Sequence, residues 1–278
     1  MQYKLGEILN KTIGKYLIRE ELGGGSTAYV YKGIDTTTQR IVAVKILHEY
    51  LRKNSTIVER FRREAKVIAR LSHPNIIEFI DYYEDEEHFL YVMEFLATYT
   101  LEDILDKKQR LPVRLAIPIM EELCDALSYA HALKIVHRDL KPSNLFISRD
   151  RGLLLSDFGL AKPLSDAPIT TVGSKMMGTP HFMSPEQVNG DETTFRTDIY
   201  QVGLIIFQTI TGDLPFSGDN HFEAIMARTQ RLPIFTKEQK QLVPPRIQTI
   251  ILKATAVDPK DRYSEAIELK EALEEAIC

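Results

Sequence analysis

The most informative stretch of the sequence is His137-Arg138-Asp139-Leu140-Lys141-Pro142-Ser143-Asn144. A second motif, Asp157-Phe158-Gly159, begins thirteen residues after Asn144. Asn144 and Asp157 carry hard oxygen ligands of the kind that Mg²⁺ prefers. In isolation, Asp139 would most simply be a surface or capping carboxylate. The order and spacing of the whole set therefore carry the interpretation.

A lysine and a glutamate upstream of this stretch are predicted to pair. The lysine lies in an apolar, β-branched run that predicts a strand, Ile41-Val42-Ala43-Val44-Lys45-Ile46. The stem of Lys45 can be buried there, but its ammonium needs a partner. The following residues 57–71 show an apolar stripe at helical spacing, and Glu64 falls at the edge of that stripe. Because a buried carboxylate is costly unless paired, we predict a Lys45–Glu64 ion pair rather than a lysine that extends to solvent.

A glycine-rich turn precedes the predicted lysine strand. It reads Leu22-Gly23-Gly24-Gly25-Ser26-Thr27-Ala28-Tyr29-Val30. Glycines let the backbone approach a phosphate closely, although such a turn is as often an ordinary hairpin tip. A dinucleotide-binding turn would lead from a strand into a helix. Because Tyr29-Val30-Tyr31 predicts a strand, the sequence favours a phosphate-covering hairpin over a dehydrogenase.

Taken together, these motifs resemble the eukaryotic-type (Hanks-type) protein kinase family, whose signature also includes Ser184-Pro185-Glu186. The resemblance covers about residues 15–275. It implies one protein kinase domain over residues 1–278 with an α+β, bilobal fold. The N-lobe, about residues 15–95, is expected to be a small antiparallel β-sheet with one main helix, and the C-lobe, about residues 97–275, to be larger and mainly helical.

The resemblance also implies roles for individual residues. Asp139 would accept or orient the proton of the substrate hydroxyl, and Lys141 would stabilise the transferring phosphoryl group. Lys45 and Glu64 complete the expected catalytic set, and Asn144 and Asp157 are the expected Mg²⁺ ligands. The residues expected to bind ATP are Leu22, Gly23, Gly24, Gly25, Ser26, Thr27, Ala28, Val30, Ala43, Lys45, Met93, Glu94, Leu96 and Phe146. Ordinary core packing is an alternative for Val30, Ala43 and Phe146, and is compatible with adenine binding.

Three further residues of the matching motifs are expected to be structural. We predict that His137 is a packed histidine rather than a base. Asp198 opens an apolar run, so it is read as the N-cap of a helix. In the family the equivalent residue also anchors the backbone of the catalytic loop, and the two roles are compatible. Arg262 resembles the arginine that pairs with Glu186.

Small differences in the motifs indicate the branch of the family. Ala28 replaces the third glycine of the loop and Ser184 replaces the usual alanine, but neither change removes a charged catalytic group. Lys141 and Gly178-Thr179 resemble Ser/Thr kinases rather than Tyr kinases. Sequence segments such as Leu71-Ser72-His73-Pro74-Asn75 resemble those of the bacterial branch. Members of that branch often extend through a linker and a membrane helix into a sensor, so an excised domain and a short protein both remain open.

Regulation by phosphorylation is a further expectation. Thr170, Thr171 and Ser174 lie in a polar segment between the Asp157 and Ser184 motifs. In the family, an arginine at the position of Arg138 receives a phosphate from this loop. A phosphate adds roughly −1.5 to −2 charges and can order a loop by pairing with arginine. The alternative is that these are ordinary loop residues.

The composition of the chain limits which partners and which cellular location are expected. The chain has 278 residues and a formal net charge of −4, which gives no general attraction to nucleic acid or an anionic membrane. No apolar run is long enough for a membrane segment. With only Cys124 and Cys278, a reducing cytoplasm is the simplest location. The expected partners are ATP, Mg²⁺ and protein substrates, and a homodimer that autophosphorylates in trans is compatible with them.

Two alternative functions remain. A pseudokinase would bind nucleotide or act as a scaffold without turnover, and the intact set of charged residues argues against it. A small-molecule phosphotransferase of related fold should lack a full activation segment, whereas residues 157–186 supply one.

Overall fold

The computed structural model of the chain describes residues 8–25, 27–158, 180–216 and 221–277. The chain divides into two compact units, residues 1–97 and 98–278, and each is considered by itself. The first contains an antiparallel sheet with one main helix, and the second is mainly helical. This arrangement confirms the predicted α+β kinase fold.

The first unit is built on a six-stranded sheet in the order β1-β2-β3-β4-β6-β5, in which all neighbouring strands are antiparallel. Its elements are β1 (Thr12–Ile13), β2 (Tyr16–Gly24), β3 (Ala28–Asp35), β4 (Ile41–Leu47), a short 3₁₀ helix (Glu49–Leu51), α1 (Ser55–Ile68), β5 (Phe79–Glu84) and β6 (Phe89–Glu94). In the register of β4, Lys45 lies opposite Val30 on one side and Tyr91 on the other.

Helix α1 begins after Asn54, whose side chain accepts a hydrogen bond from the backbone N–H of Ile57. This cap satisfies one of the unpaired N–H groups at the helix start. The buried face of α1 carries Val58, Phe61, Glu64, Ala65 and Ile68. Glu64 therefore lies within the buried face rather than at its edge.

The second unit contains a three-stranded sheet, β7-β8-β9, and a set of helices. Its strands are β7 (Tyr99–Thr100), β8 (Leu145–Ser148) and β9 (Gly152–Leu155), and its α-helices are α2 (Leu101–Lys108), α3 (Val113–Ala132), α4 (Pro185–Asn189), α5 (Phe195–Thr211), α6 (His221–Gln230), α7 (Lys237–Leu242), α8 (Pro245–Ala254) and α9 (Ala266–Ile277). Short 3₁₀ helices span Pro142–Asn144, Pro180–Phe182 and Pro259–Asp261.

Helix α5 forms the centre of this unit because it is buried almost all round. It begins after Thr194, which caps it together with Thr197. The predicted N-cap role of Asp198 is therefore wrong, since Asp198 is the fourth residue of the helix. The apolar run that suggested a start at Asp198 is preceded by one more turn, Phe195-Arg196-Thr197, which Thr194 already caps.

No helix in the described ranges is long and apolar enough to cross a membrane.

Candidate active site

The loop that carries Asp139 is held by side chains of α5. The backbone N–H groups of His137 and Arg138 donate hydrogen bonds of 2.9 and 2.8 Å to the two carboxylate oxygens of Asp198. The N–H of Leu140 donates to Oε1 of Gln201 at 3.1 Å. Asp198 is fully buried, so these bonds form in a low-dielectric environment where they are strong. The expected anchoring role of Asp198 is confirmed.

Two residues of the candidate site have a left-handed backbone. Arg138 has φ 67° and Asp157 has φ 52°, a region that non-glycine residues rarely occupy. The carbonyl oxygen of Arg138 accepts hydrogen bonds from the side-chain amides of Gln187 and Gln201, which hold this conformation in place. Such strained residues cluster at functional sites, where the surrounding structure over-determines them.

Asp139 and Lys141 are adjacent at the surface of the loop. Nζ of Lys141 lies 3.1 Å from Oδ2 of Asp139, and the side chains are 38% and 24% exposed, respectively. A carboxylate and an ammonium in this arrangement can act together on an external hydroxyl and a phosphoryl group. The structure therefore brings these two predicted residues together.

His137 is a packed residue, as predicted. Its ring is fully buried and lies 4.8 Å from the ring of Phe158. Nε2 lies 2.8 Å from the carbonyl oxygen of Ser156, while Nδ1 accepts a hydrogen bond from the N–H of Asp139. These two bonds fit a neutral imidazole with its proton on Nε2. Burial lowers the pKa of His137, which keeps the ring neutral.

The side chain of Asn144 is oriented by its own loop. Nδ2 of Asn144 donates a 2.8 Å hydrogen bond to the carbonyl oxygen of Asp139, so Oδ1 is the end left to face a cation. Asp157 lies two residues after the end of β9. The residue between them, Ser156, donates a backbone hydrogen bond to the carbonyl oxygen of Asn144, which ties this segment to the loop. An amide oxygen and a carboxylate fit the hard oxygen donors that Mg²⁺ prefers.

The second unit also contains a buried ion pair between Arg262 and Glu186. Both guanidinium NH groups of Arg262 donate to the carboxylate of Glu186 at 2.9 Å. Burial alone would raise the pKa of Glu186, but the hydrogen bonds and charge of Arg262 hold it below its usual value. The predicted Arg262–Glu186 pair is confirmed.

In the first unit, the predicted Lys45–Glu64 ion pair is present. Nζ of Lys45 lies 3.0 Å from Oε1 of Glu64, and the side chains are only 15% and 5% exposed. The hydroxyl of Tyr91 donates a 2.7 Å hydrogen bond to the same Oε1. Glu64 is thus held by one side chain from each of two paired strands, Lys45 on β4 and Tyr91 on β6.

The glycine-rich turn joins β2 to β3, as predicted, and this strand–turn–strand geometry excludes a dinucleotide-binding turn. A Cβ on Gly24 would lie 2.5 Å from Cδ1 of Tyr29, so a side chain at this position would clash with the ring. The N–H of Gly25 donates to the carbonyl oxygen of Ala28. The carbonyl oxygen of Gly25 lies 2.8 Å from Nε2 of His48, which anchors the turn from the end of β4.

The other predicted nucleotide residues fall into two groups. Leu22, Gly23, Thr27, Val30, Ala43, Met93, Glu94 and Leu96 lie in the first unit, and Phe146 lies on β8 of the second. Ala43 and Met93 are directly paired across β4 and β6. Ser26 and the phosphorylation candidates Thr170, Thr171 and Ser174 lie outside the described residues.

Sequence reasoning missed several residues that support the site. Tyr91 and His48 contact Glu64 and Gly25, while Gln187 and Gln201 hold the loop of Asp139. Gln201 could have been found because it is polar in an otherwise apolar helix. Tyr91 gave no such signal, since a tyrosine in a strand is ordinary.

The chain matches the protein kinase domain family over residues 16–276 and belongs to that family. ATP is the phosphoryl donor of this family and Mg²⁺ its typical metal. Serine/threonine-protein kinase PrkC of Bacillus subtilis is 37% identical over 257 residues, which cover 92% of this chain and 40% of that protein. Serine/threonine-protein kinase PknL of Mycobacterium tuberculosis is 34% identical over 263 residues, which cover 94% of this chain and 65% of that protein. These similarities identify a Hanks-type Ser/Thr protein kinase domain, a phosphotransferase.

The chain spans about two fifths of the length of the first curated relatives that it matches. Among solved structures, the kinase domain of Mycobacterium tuberculosis PknI aligns with a TM-score of 0.75 at 24% identity. The alignment covers 96% of this chain and 98% of that one. This likeness supports the fold.

Proposed function

We propose that the chain transfers the γ-phosphoryl group of ATP to Ser or Thr hydroxyls of protein substrates. The observation that carries this proposal is the accessible Asp139–Lys141 pair on a loop whose backbone is fixed by Asp198. Phosphoryl transfer needs positioning and charge neutralisation more than covalent chemistry, and a fixed loop supplies positioning.

Asp139 would orient the acceptor hydroxyl and take its proton as the oxygen attacks. Lys141, at 3.1 Å from Asp139, would meet the negative charge of the phosphoryl group that moves to that oxygen. His137 does not compete for the role of base because it is fully buried and both of its ring nitrogens are already engaged.

Asn144 and Asp157 would hold Mg²⁺ through Oδ1 and the carboxylate. The bound ion would neutralise charge on the nucleotide phosphates. The bond from Nδ2 of Asn144 to Asp139 means that the metal ligand and the residue facing the hydroxyl belong to one hydrogen-bonded loop.

The first unit would hold the nucleotide. Lys45, kept in place by Glu64, would meet its phosphates, and the glycine-rich turn would cover them with backbone N–H groups. The N–H of Glu94 already donates to the carbonyl oxygen of Glu78 at 3.0 Å. Because that N–H is already engaged, we propose that the carbonyl group of Glu94 and the N–H of Leu96 form the hydrogen bonds to the edge of adenine.

The proposed function is tested by incubating the protein with Mg²⁺, ATP labelled in its γ-phosphate and a generic protein substrate. Separation of the phosphoamino acids should show label on serine and threonine. Binding of ATP without any transfer would support the pseudokinase alternative, and label on a small acceptor alone would support the small-molecule phosphotransferase. Either of these results would overturn the proposal.

We also propose autophosphorylation at Thr170, Thr171 or Ser174, with Thr171 the first choice. Within the described residues, Nε of Arg138 is buried and has no hydrogen-bond partner. A buried guanidinium N–H is normally paired, and a phosphate is a strong partner for one. A transient homodimer would carry out this reaction in trans, and the cytoplasm, which supplies ATP, is the proposed location.

Mass spectrometry after incubation with ATP and Mg²⁺ tests this second proposal. Phosphate should appear between residues 160 and 183 in the wild type and be absent from the Asp139→Asn variant. Replacing both Thr170 and Thr171 with alanine should reduce activity toward an added substrate. Absence of phosphate from this segment, or unchanged activity of the alanine variant, would contradict self-activation.

A further inference from the structure

One carboxylate oxygen of Glu64 accepts hydrogen bonds from two different side chains. Oε1 lies 3.0 Å from Nζ of Lys45 and 2.7 Å from the hydroxyl oxygen of Tyr91. A salt bridge to a flexible lysine leaves a carboxylate free to rotate about its side-chain bonds. The phenol is rigid, with only two side-chain torsions, so its hydrogen bond fixes the oxygen at one point.

Tyr91 also links the position of Oε1 of Glu64 to the sheet. Tyr91 pairs directly with Lys45 in the β4–β6 register, so both side chains project from the same face of the sheet. The ammonium of Lys45 lies 5.3 Å from the centre of the Tyr91 ring, within range of a cation–π interaction. Tyr91 is fully buried, so its hydroxyl needs a partner inside the protein.

Tyr91 also contacts the helix that carries Glu64. Its ring lies 5.2 Å from the ring of Phe61, which precedes Glu64 by three residues and shares the buried face of α1. On the other side it lies 6.4 Å from the ring of Phe79 on β5. One side chain therefore contacts the lysine strand, the glutamate and the helix at the same time.

We propose that Tyr91 is a positioning residue for the Lys45–Glu64 pair. Its hydroxyl fixes the carboxylate of Glu64, and its ring fixes α1, so that the ammonium of Lys45 is held in one place. Tyr91 acts through Glu64 and Lys45 and does not itself contact the substrate. The inference rests on the proposed function only in that Lys45 is taken to serve nucleotide phosphates.

The test compares two variants that each remove one buried phenol hydroxyl from the same sheet. Tyr91→Phe keeps the ring and deletes the bond to Glu64. Tyr16→Phe is the matched control, because Tyr16 is also fully buried and its hydroxyl binds a carboxylate, that of Asp81. Tyr91→Phe should lower kcat for phosphoryl transfer about ten-fold with little change in KM for ATP, whereas Tyr16→Phe should stay within about two-fold of wild type.

A second readout does not depend on turnover. Brief exposure of the nucleotide-free protein to an amine-acetylating reagent, followed by peptide mass spectrometry, measures the reactivity of Lys45. Tyr91→Phe should increase acetylation of Lys45 about three-fold or more, because a Lys45 side chain that Glu64 holds less firmly is more accessible to the reagent. Acetylation of Lys15, which pairs with Asp35 and Asp81, should not change.

Unchanged acetylation of Lys45 in Tyr91→Phe would overturn the inference, as would equal loss of kcat in both tyrosine variants. Complete lack of transfer by the wild type would instead overturn the proposed function. In that case the acetylation measurement would still decide whether Tyr91 fixes the pair.

Discussion

The backbone N–H of Arg138 donates a 2.8 Å hydrogen bond to Oδ1 of Asp198, a residue sixty positions later in the chain. Oδ2 of the same carboxylate accepts from the N–H of His137 and lies 2.8 Å from Nε2 of His131. A single buried side chain thus holds two consecutive amides of the loop that carries Asp139. The left-handed backbone of Arg138 persists because this loop is held at several points.

Replacing Asp198 with asparagine should destabilise the protein and impair the loop. One side-chain NH₂ group would then face a backbone donor inside the core. We expect a loss of about 2–4 kcal/mol in the free energy of unfolding and at least a ten-fold fall in kcat. Chemical denaturation and steady-state kinetics measure the two effects.

The control for this change is Asp258→Asn, at an exposed cap where asparagine serves equally well. It should shift the free energy of unfolding by no more than about 0.5 kcal/mol. Equal stability of wild type and Asp198→Asn would show that the carboxylate does not hold the loop.

The Glu186–Arg262 pair should contribute strongly to stability. The Arg262 side chain is fully buried, so Glu186→Gln would leave its charge without a counterion. We expect a cost of about 3–5 kcal/mol, measured by urea denaturation. The exposed pair Arg40–Glu78 offers a matched control, in which Glu78→Gln should cost less than about 1 kcal/mol. Similar costs for the two substitutions would contradict this interpretation.

Lys45→Met should abolish most of the activity while preserving the fold. The change removes the charge but keeps the bulk of the side chain. Glu64 is buried, yet the hydroxyl of Tyr91 would still bind it, so we expect a stability loss of about 1–3 kcal/mol. Autophosphorylation and thermal unfolding measure both effects. Lys32→Met on the neighbouring strand should leave activity unchanged, and undiminished autophosphorylation of Lys45→Met would assign the role to another cation.

The pH dependence of stability should report on His137. Burial lowers its pKa below the ordinary value of 6.5, so the unfolded chain binds a proton that the folded protein does not. Its contribution to stability is therefore complete above pH 6.5 and is lost as the pH falls below that value, by at most about 1.4 kcal/mol per pH unit.

Denaturation curves between about pH 5 and 7 should show a smaller pH slope for His137→Phe than for wild type. Comparing slopes removes the constant cost of the lost hydrogen bonds to Ser156 and Asp139. Identical slopes would mean that His137 takes up a proton in the folded state as easily as in the unfolded one.

The features that sequence predicted best were those that leave a local anomaly. Lys45 and Glu64 were each out of place in an apolar pattern, and pairing them resolved both. Thr100 before Leu101-Glu102-Asp103 is also typical of a helix N-cap, and it forms a capping box with Asp103. In such cases the physical requirement is visible within a few residues.

The features that were missed depend on partners distant in the chain. The bond from Tyr91 to Glu64 needs the register of β4 and β6 as well as the position of α1. Asp198 was placed at a helix start because the apolar run begins there, although the helix begins at Phe195.

The most direct test of the proposed chemistry is to measure phosphoryl transfer and ATP binding side by side in Asp139→Asn. The control is Asp150→Asn, which changes an exposed aspartate in the turn between β8 and β9. The carboxylate of Asp139 is proposed to act on the acceptor hydroxyl and not on the nucleotide. Phosphoryl transfer by Asp139→Asn should therefore fall at least about 100-fold, whereas its Kd for ATP in the presence of Mg²⁺ should stay within about three-fold of wild type. Asp150→Asn should match wild type in both, and transfer by Asp139→Asn at the wild-type rate would contradict the assignment.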